Sequence, residues 1–541
     1  MRLGIAQTNP TVGDIDHNLA GILARIAEAR SAGCEAVIFP ELALCGYSPH
    51  DLLWSRGFIA RLQAGQEAIR EASAEIGVIV GGVIVGGRRA PANLWDPSSV
   101  ADGAGEKRHN VALLFADRET VGAQPKLHLP SFDVFCEERH FSPGAGSEVF
   151  RLCGVRVGVN LCEDMWVEDG PTGVQAGLGA EWVVNISSSP FFLGKAALRR
   201  RIGARLAGEH RIWFVYVNRV GGQDDVVYDG GSFVCDPEGN LRFQAPYFEE
   251  GLFVVEPESS RATAPPEERD TDLLRRGLVM AIGDYFRRNG FSQALIGLSG
   301  GIDSAVVAAL AAEALGSDAV NGVSMPSRIT TKESRDDAHE VASRLGIGWE
   351  EIEIGEAIET LSDSLSTPPD GIAAENLQAR TRGVLLMTLA NQRSAMVLAT
   401  GNKSEIAVGY NTLYGDTVGA LAPIGDLYKR DVVRLAEAYG ERIPERVRHK
   451  PPTAELRPGQ RDEDDLPPYD LLDRILERLV ERQASRSDLL AEGFEASVVD
   501  DVLSRYARSE YKRRQLPPTV KVTPKAFGSG RRMPITHGYR G

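Results

Sequence analysis

The most restrictive feature for the fold is the run Ala294–Leu315, ALIGLSGGIDSAVVAALAAEAL: a short apolar strand, a glycine-centred turn and an alanine-rich helix in succession. Gly297, Leu298, Ser299, Gly300, Gly301, Ile302, Asp303 and Ser304 make the turn. Paired glycines let backbone pass close to another group and adopt dihedrals closed to other residues. The free N–H groups and dipole of the following helix draw an anion to that place. Ser299 and Ser304 add hydroxyl donors, and Asp303 is suited to hold magnesium beside phosphates. The lysine of the GxxxxGK[ST] loop is absent. Around this turn, helix and strand alternate: a helix near 271–289, the strand AVNGVSM, and a helix over Lys332–Leu345. That order predicts a doubly wound parallel sheet.

A single core does not serve 541 residues. A proline-, serine- and charge-rich stretch, 256–270, reads as a linker between residues 1–255 and 271–541. Ahead of it, β-like runs recur (LGIAQT, EAVIFPE, VALLFAD, VRVGVNLC, EWVVNIS, WFVYVNRV), separated in places by helical patterns at Asn18–Ala32 and Phe58–Ile76. The formal charge of −15 argues against a dedicated nucleic-acid binder, which needs a basic surface. The apolar run from Gly77 to Gly87 is glycine-broken and far below the roughly 20 residues of a membrane span. The N-terminus has no charged leader with an apolar core, and the six cysteines form no CxxC pair. A reducing cytoplasm is the expected compartment, with no membrane partner.

The loop resembles the pyrophosphatase loop of enzymes that split ATP into AMP and pyrophosphate to activate a carboxylate. Further segments carry the resemblance on: ENLQAR (375–380), TGNKSE (400–405), GYNTLYGD (409–416), KPPTAEL (450–456), DEDDLPPYD (462–470) and EYKRRQ (510–515). TGNKSE follows the apolar strand AMVLA, where residues at the carboxyl end of a parallel strand face a ligand crevice. Lys403 is suited to offset phosphate charge, and Glu405 to share a metal or contact substrate. Together these segments look like the NAD synthetase family. The resemblance implies that Asn376, Glu405 and Lys512 contact deamido-NAD, that the loop and Thr400 hold ATP, and that Asp303 and Glu405 bind Mg2+. Thr453 stands where that family more often has serine, and the acidic run Asp462–Asp465 falls in a substrate-covering loop.

The first half carries Glu41 in FPELALCGY, Lys126 in QPKLHLP and Cys162 in VGVNLCEDMW. Their combination resembles the Glu-Lys-Cys triad of the nitrilase superfamily, whose members are αββα sandwiches. A thiol, mostly protonated at neutral pH, needs a base to take its proton and a cation to meet the oxyanion. Cys162 is thus the expected nucleophile, Glu41 the base and Lys126 the oxyanion partner. Glu137, in FCEERHF, is the expected second carboxylate on Lys126. The resemblance places L-glutamine against Phe132, Ser189 and Lys195. A tyrosine is common at the first of these positions, and here its hydroxyl is missing. Both resemblances combine in the glutamine-hydrolysing branch of the NAD synthetases. What they imply is a nitrilase-like αββα sandwich followed by a Rossmann-like sheet of the adenine nucleotide alpha hydrolase type. They further imply a glutaminase feeding ammonia through a dry passage to an adenylate, L-glutamine, ATP and deamido-NAD as substrates, no prosthetic group, and a homo-oligomer. The alternative is a related amidotransferase acting on another carboxylate or a nucleic acid; a basic groove and cysteines in the second half would mark the nucleic-acid case, and neither is visible.

Overall fold

The computed structural model describes residues 1–88, 106–258 and 268–539. The chain divides into two units, Met1–Gln223 with Tyr228–Glu268, and Asp224–Val227 with Arg269–Gly541. Of the expected linker, 259–267 lies outside the described residues.

In the first unit the strands are β1 (Leu3–Gln7), β2 (Ala36–Ile38), β3 (Gly77–Arg88), β4 (Glu106–Ala116), β5 (Glu119–Pro125), β6 (Val149–Leu152), β7 (Val155–Leu161), β8 (Trp182–Ser187) and β9 (Trp213–Asn218). A hairpin of β10 (Val220–Gln223) and β11 (Val226–Asp229) follows, then β12 (Phe233–Cys235), β13 (Leu241–Gln244) and β14 (Gly251–Val255). They form two six-stranded sheets, ordered β14-β1-β2-β3-β4-β5 and β13-β12-β9-β8-β7-β6. Both have three parallel strands at their heart, β1-β2-β3 and β7-β8-β9. Leu3, Ile5, Ile38, Ile79 and Leu114 from one sheet share a core with Val157, Val159, Leu161, Val184, Ile186 and Val217 from the other. The sheets therefore pack face to face. Side chains of opposite parity face outward, where Val183, Phe214 and Tyr216 meet Leu206 and Ala207 of the helix Lys195–His210. Strands buried on both faces read as near-continuous apolar runs, as these do. This is the αββα sandwich.

Helix boundaries follow their caps. The helix expected from Asn18 begins at Ile15, because the Asp14 side chain accepts from the His17 N–H. The one expected from Phe58 begins at Arg56, capped by Ser55, and stops at Ala72. In both cases the polar cap, not the first apolar residue, sets the start.

The second unit holds a four-stranded parallel sheet of β15 (Ala294–Gly297), β16 (Val320–Ser324), β17 (Gly348–Glu351) and β18 (Met396–Val397), ordered β17-β16-β15-β18. The helix Ile302–Leu315 is buried along most of its length, next to the helices Asp270–Asn289 and Lys332–Leu345. Leu386 and Ala390 of the helix Gly371–Arg393 pack on Leu295, Val323 and Val397. A separate helical cluster surrounds Ile406, Leu476 and Val502. Among the described residues no helix is long and apolar enough to cross a membrane.

Candidate active site

In the first unit the site lies at the carboxyl ends of the parallel strands. Glu41 follows β2, Lys126 follows β5, Cys162 follows β7 directly and Ser189 follows β8. The structure brings Glu41, Lys126, Cys162 and Glu137 together, each at most 3% exposed. Lys126 Nζ donates to Glu41 Oε1 at 2.8 Å and to Glu137 Oε1 at 2.6 Å. Glu41 Oε1 also accepts from Asn110 Nδ2 at 2.7 Å, and its Oε2 accepts from the Ser188 N–H at 2.9 Å. The Tyr47 hydroxyl donates to Glu137 Oε1 at 2.7 Å.

One ammonium between two buried carboxylates leaves net negative charge in an apolar sandwich. Burial above all, with Glu41 adding, raises Glu137 to about 7, against the pull of Lys126. Burial alone would lower Lys126, but Glu137 and Glu41 outweigh it and hold the amine well above its ordinary range. The Cys162 thiol is pushed up by burial and then by Glu41, with Lys126 opposing. At rest Cys162 therefore holds its proton, which would have to leave in any attack by its sulfur.

Cys162 sits at φ 42°, in the left-handed region, on the first residue of a one-turn 3-10 helix. Non-glycine residues there are held by their surroundings. Here Asp164 does much of the holding: it accepts from the Leu161 N–H at 3.1 Å and from the His128 N–H at 2.9 Å. It thereby ties the cysteine turn to the loop that carries Lys126. Phe132, expected against glutamine, is 57% exposed and meets Phe135 edge-on at 5.8 Å. Ser189 is buried. Lys195 opens its helix, with Nζ 5.1 Å from the Phe192 ring and 5.8 Å from that of Trp166. Tyr47, Asn110, Asp164 and Ser188 were not marked by the sequence reading. Asn110 closes the polar half of its strand, just before the apolar run Val111–Ala116, and so gave no distinct signal; the Ser188 contact is a backbone one and left none either.

In the second unit the glycine turn joins β15 to the helix Ile302–Leu315, with Gly301 as N-cap. Gly300 has φ 78°, and a Cβ there would stand 2.3 Å from the Ser334 carbonyl oxygen, so glycine is required. Ser299 Oγ accepts from the Gly301 N–H at 3.2 Å and Ser304 Oγ donates to the Gly301 carbonyl at 3.0 Å, shaping the turn. Asp303 pairs with Lys429 Nζ at 2.5 Å and accepts from Asn402 Nδ2 at 2.9 Å. Asn402 and Glu405 form a reciprocal capping box. Burial first and then Asp303 raise Glu405 well above its usual range, with Lys429, 3.9 Å away, opposing. Lys429 is lowered by burial, but Asp303 and Glu405 outweigh that and raise it. Among the described residues no group of three or more metal-type ligands is gathered. Two carboxylates sharing one lysine still suit an ion such as Mg2+, which is bound through one or two carboxylates plus substrate phosphates.

One expectation fails. Lys403, given to phosphate charge, is fully buried and bonded to Asp426 at 3.0 Å, Glu481 at 3.2 Å and Thr523 Oγ1 at 2.6 Å. The TGNKSE run enters a helix at Lys403, which turns that side chain into the helical cluster; Lys429 is the lysine beside Asp303. Asn376 accepts from Thr412 Oγ1 at 2.6 Å, and Lys512 Nζ donates to the carbonyls of Gly409 and Asn411 at 2.7 and 2.6 Å. The segment 409–412 thus gathers both. Thr400 lies between β18 and Asn402. Thr453 donates to the Gln460 carbonyl at 2.6 Å, and Asp462 is buried against Tyr469.

Fold and sites define an amidase-type sandwich and a nucleotide-binding parallel sheet on one chain. Family profiles agree: carbon-nitrogen hydrolase matches residues 2–265 and NAD synthase matches 274–517. The chain is 40% identical to the glutamine-dependent NAD(+) synthetase of Synechocystis, covering 99% of both chains. It is 37% identical to that of Thermotoga maritima, over all of this chain and 99% of the other. A solved glutamine-dependent NAD+ synthetase from Acinetobacter baumannii, in complex with ADP, superposes with TM-score 0.77 at 35% identity, covering 99% of this chain and 98% of that one. The chain belongs to the glutamine-dependent NAD(+) synthetase family.

Proposed function

We propose that this protein makes NAD from deamido-NAD, taking nitrogen from the side chain of L-glutamine and driving the reaction with ATP. What supports this most is the buried Lys126 bridging Glu41 and Glu137 beside the Cys162 thiol, on a chain that also carries the SGGIDS loop. Cys162 Sγ attacks the amide carbon of glutamine while Glu41 accepts the thiol proton. Lys126 meets the charge developing on the carbonyl oxygen, a role in which one donor is worth roughly 10²–10³ in rate. Glu41 passes the proton to the departing ammonia; water, activated by the same carboxylate, then cleaves the thioester to glutamate. Ser189 and Lys195 hold glutamine, and Phe132 borders it through backbone and ring rather than a hydroxyl.

In the second unit, residues 297–304 and Thr400 bind ATP, and Asn376, Glu405 and Lys512 bind deamido-NAD. Asp303 and Glu405 would hold Mg2+, which supplies neutralising charge to the phosphates. The nicotinate carboxylate attacks the α-phosphorus, pyrophosphate leaves, and ammonia displaces AMP to give the amide. Ammonia released to neutral water becomes ammonium, which lacks the lone pair the second step needs; passage within the protein keeps it neutral. Residues 1–255 and 271–541 form the two domains, and the protein works as a cytoplasmic homo-oligomer.

The test is NAD and AMP formation by Cys162→Ala. Glutamine should fail as nitrogen source and ammonium should still serve. A folded wild-type protein that makes no AMP with deamido-NAD and either nitrogen source would remove this reading.

A further inference from the structure

We propose that Asn218 is a positioning residue of the glutamine-hydrolysing site: its carboxamide clamps Ser189 so that the neighbouring Ser188 N–H holds Glu41 Oε2. The inference rests on the reading of Glu41 as the base.

Asn218 ends β9, in register with Ser187 at the end of β8. Its side chain grips one residue at both backbone groups: Oδ1 accepts from the Ser189 N–H at 2.9 Å, and Nδ2 donates to the Ser189 carbonyl at 3.2 Å. A two-point grip of this kind fixes the direction of the chain as well as its distance. The adjoining peptide presents the Ser188 N–H to Glu41 Oε2 at 2.9 Å, and Ser188 Oγ donates to the Glu41 carbonyl at 3.0 Å. The other oxygen of Glu41 already accepts from Lys126 and Asn110. The Ser188 contact therefore determines how Oε2 is turned and how many lone pairs it keeps for a proton.

Asn218 is itself held from behind. Its Nδ2 lies 3.4 Å from Asp229 Oδ1 and 3.3 Å from the Gly230 carbonyl. Asp229 is ion-paired to Arg199, whose Nη1 donates to the Tyr216 hydroxyl at 3.1 Å. Arg199, Tyr216, Asn218 and Asp229 are each at most 2% exposed. A buried ion pair contributes little net stability compared with apolar packing. Its place here, one residue behind the segment that touches the base, is accounted for by rigidity at that segment.

The test compares wild type, Asn218→Ala and Asn218→Ser, whose neutral hydroxyl brings no new charge beside Asp229. The readout is the pH profile of glutamine hydrolysis, with ammonium-fed NAD formation as control. A carboxylate that loses an N–H donor holds its proton more tightly, so the acid limb should move to higher pH in Asn218→Ala. It should move in the same direction in Asn218→Ser. Ammonium-fed synthesis should not change. A fall in rate with no movement of the limb would mean ordinary packing and overturn the proposal, as would an unchanged rate. If Asn218→Ala does not fold, the limb in Asn218→Ser decides. Should wild type and Glu41→Gln show the same acid limb, the assignment of Glu41 as base has failed instead.

Discussion

Gly81→Ala is the sharpest probe of the first site, because it removes no functional side chain. Gly81 lies in the middle of β3, and its N–H donates to the Pro40 carbonyl at 3.2 Å, stitching the strand to the Glu41 loop. A methyl on Gly81 would stand 2.1 Å from the Leu42 nitrogen and 2.6 Å from the Glu41 Cα and carbonyl carbon. These are backbone atoms, and Leu42 is already at φ 48°, so no side-chain rotation relieves the clash. The loop must retreat by roughly 1 Å, a displacement that at a reacting group costs on the order of 10² in rate, or about 2.7 kcal/mol. Overpacking adds about 1–3 kcal/mol of destabilisation. The assay is NAD formation from glutamine and from ammonium on the same preparation, after circular dichroism shows the variant folded. Glutamine-fed synthesis should fall about 10²-fold and ammonium-fed synthesis stay level. Gly86→Ala, on the same strand with nothing within 4 Å of its added methyl, should change neither. A folded Gly81→Ala whose ratio of the two rates stays within about threefold of wild type, under ~0.7 kcal/mol, would refute the claim that glycine is needed there to seat Glu41.

Lys126→Met leaves Glu41 and Glu137 buried without their cation; thioester formation should drop roughly 10²–10³-fold and the thermal midpoint should fall. Glu137 is raised above its unfolded value of 4.5 to about 7, so the folded state holds the extra proton. That contribution to stability is complete below about pH 4.5 and is lost as pH rises through about 7. In thermal melts, Glu137→Gln should flatten the decline between those values. Lys403→Ala breaks a buried pair worth about 3–5 kcal/mol when one partner is removed, so it should melt the second unit rather than raise the KM for ATP selectively. Asp303→Asn should depress glutamine-fed and ammonium-fed synthesis by the same factor, unlike any change at Cys162.

The parallel sheet and the glycine turn were legible from sequence because each is written in local terms, whereas the sandwich and the Glu-Lys-Cys set, whose members lie far apart in the chain, were legible only through their resemblance to the nitrilase superfamily. Apolar runs of strand length and a glycine turn between strand and helix need no distant partner to be recognised. Direction was a different matter. Lys403 and Lys429 are both lysines close to polar motifs, and only the docking of the helix Lys403–Val408 onto the helical cluster sends one to Asp426 and leaves the other at Asp303. Likewise, that Glu41 is held by Ser188 across 147 residues, and that Ser188 is held in turn through Asn218, depends on two strands ending side by side. Residue type and spacing along the chain determine which chemistry is available. Which groups meet, and what charge each carries once buried among the others, is decided by packing, because desolvation and hydrogen bonding act across space rather than along the sequence.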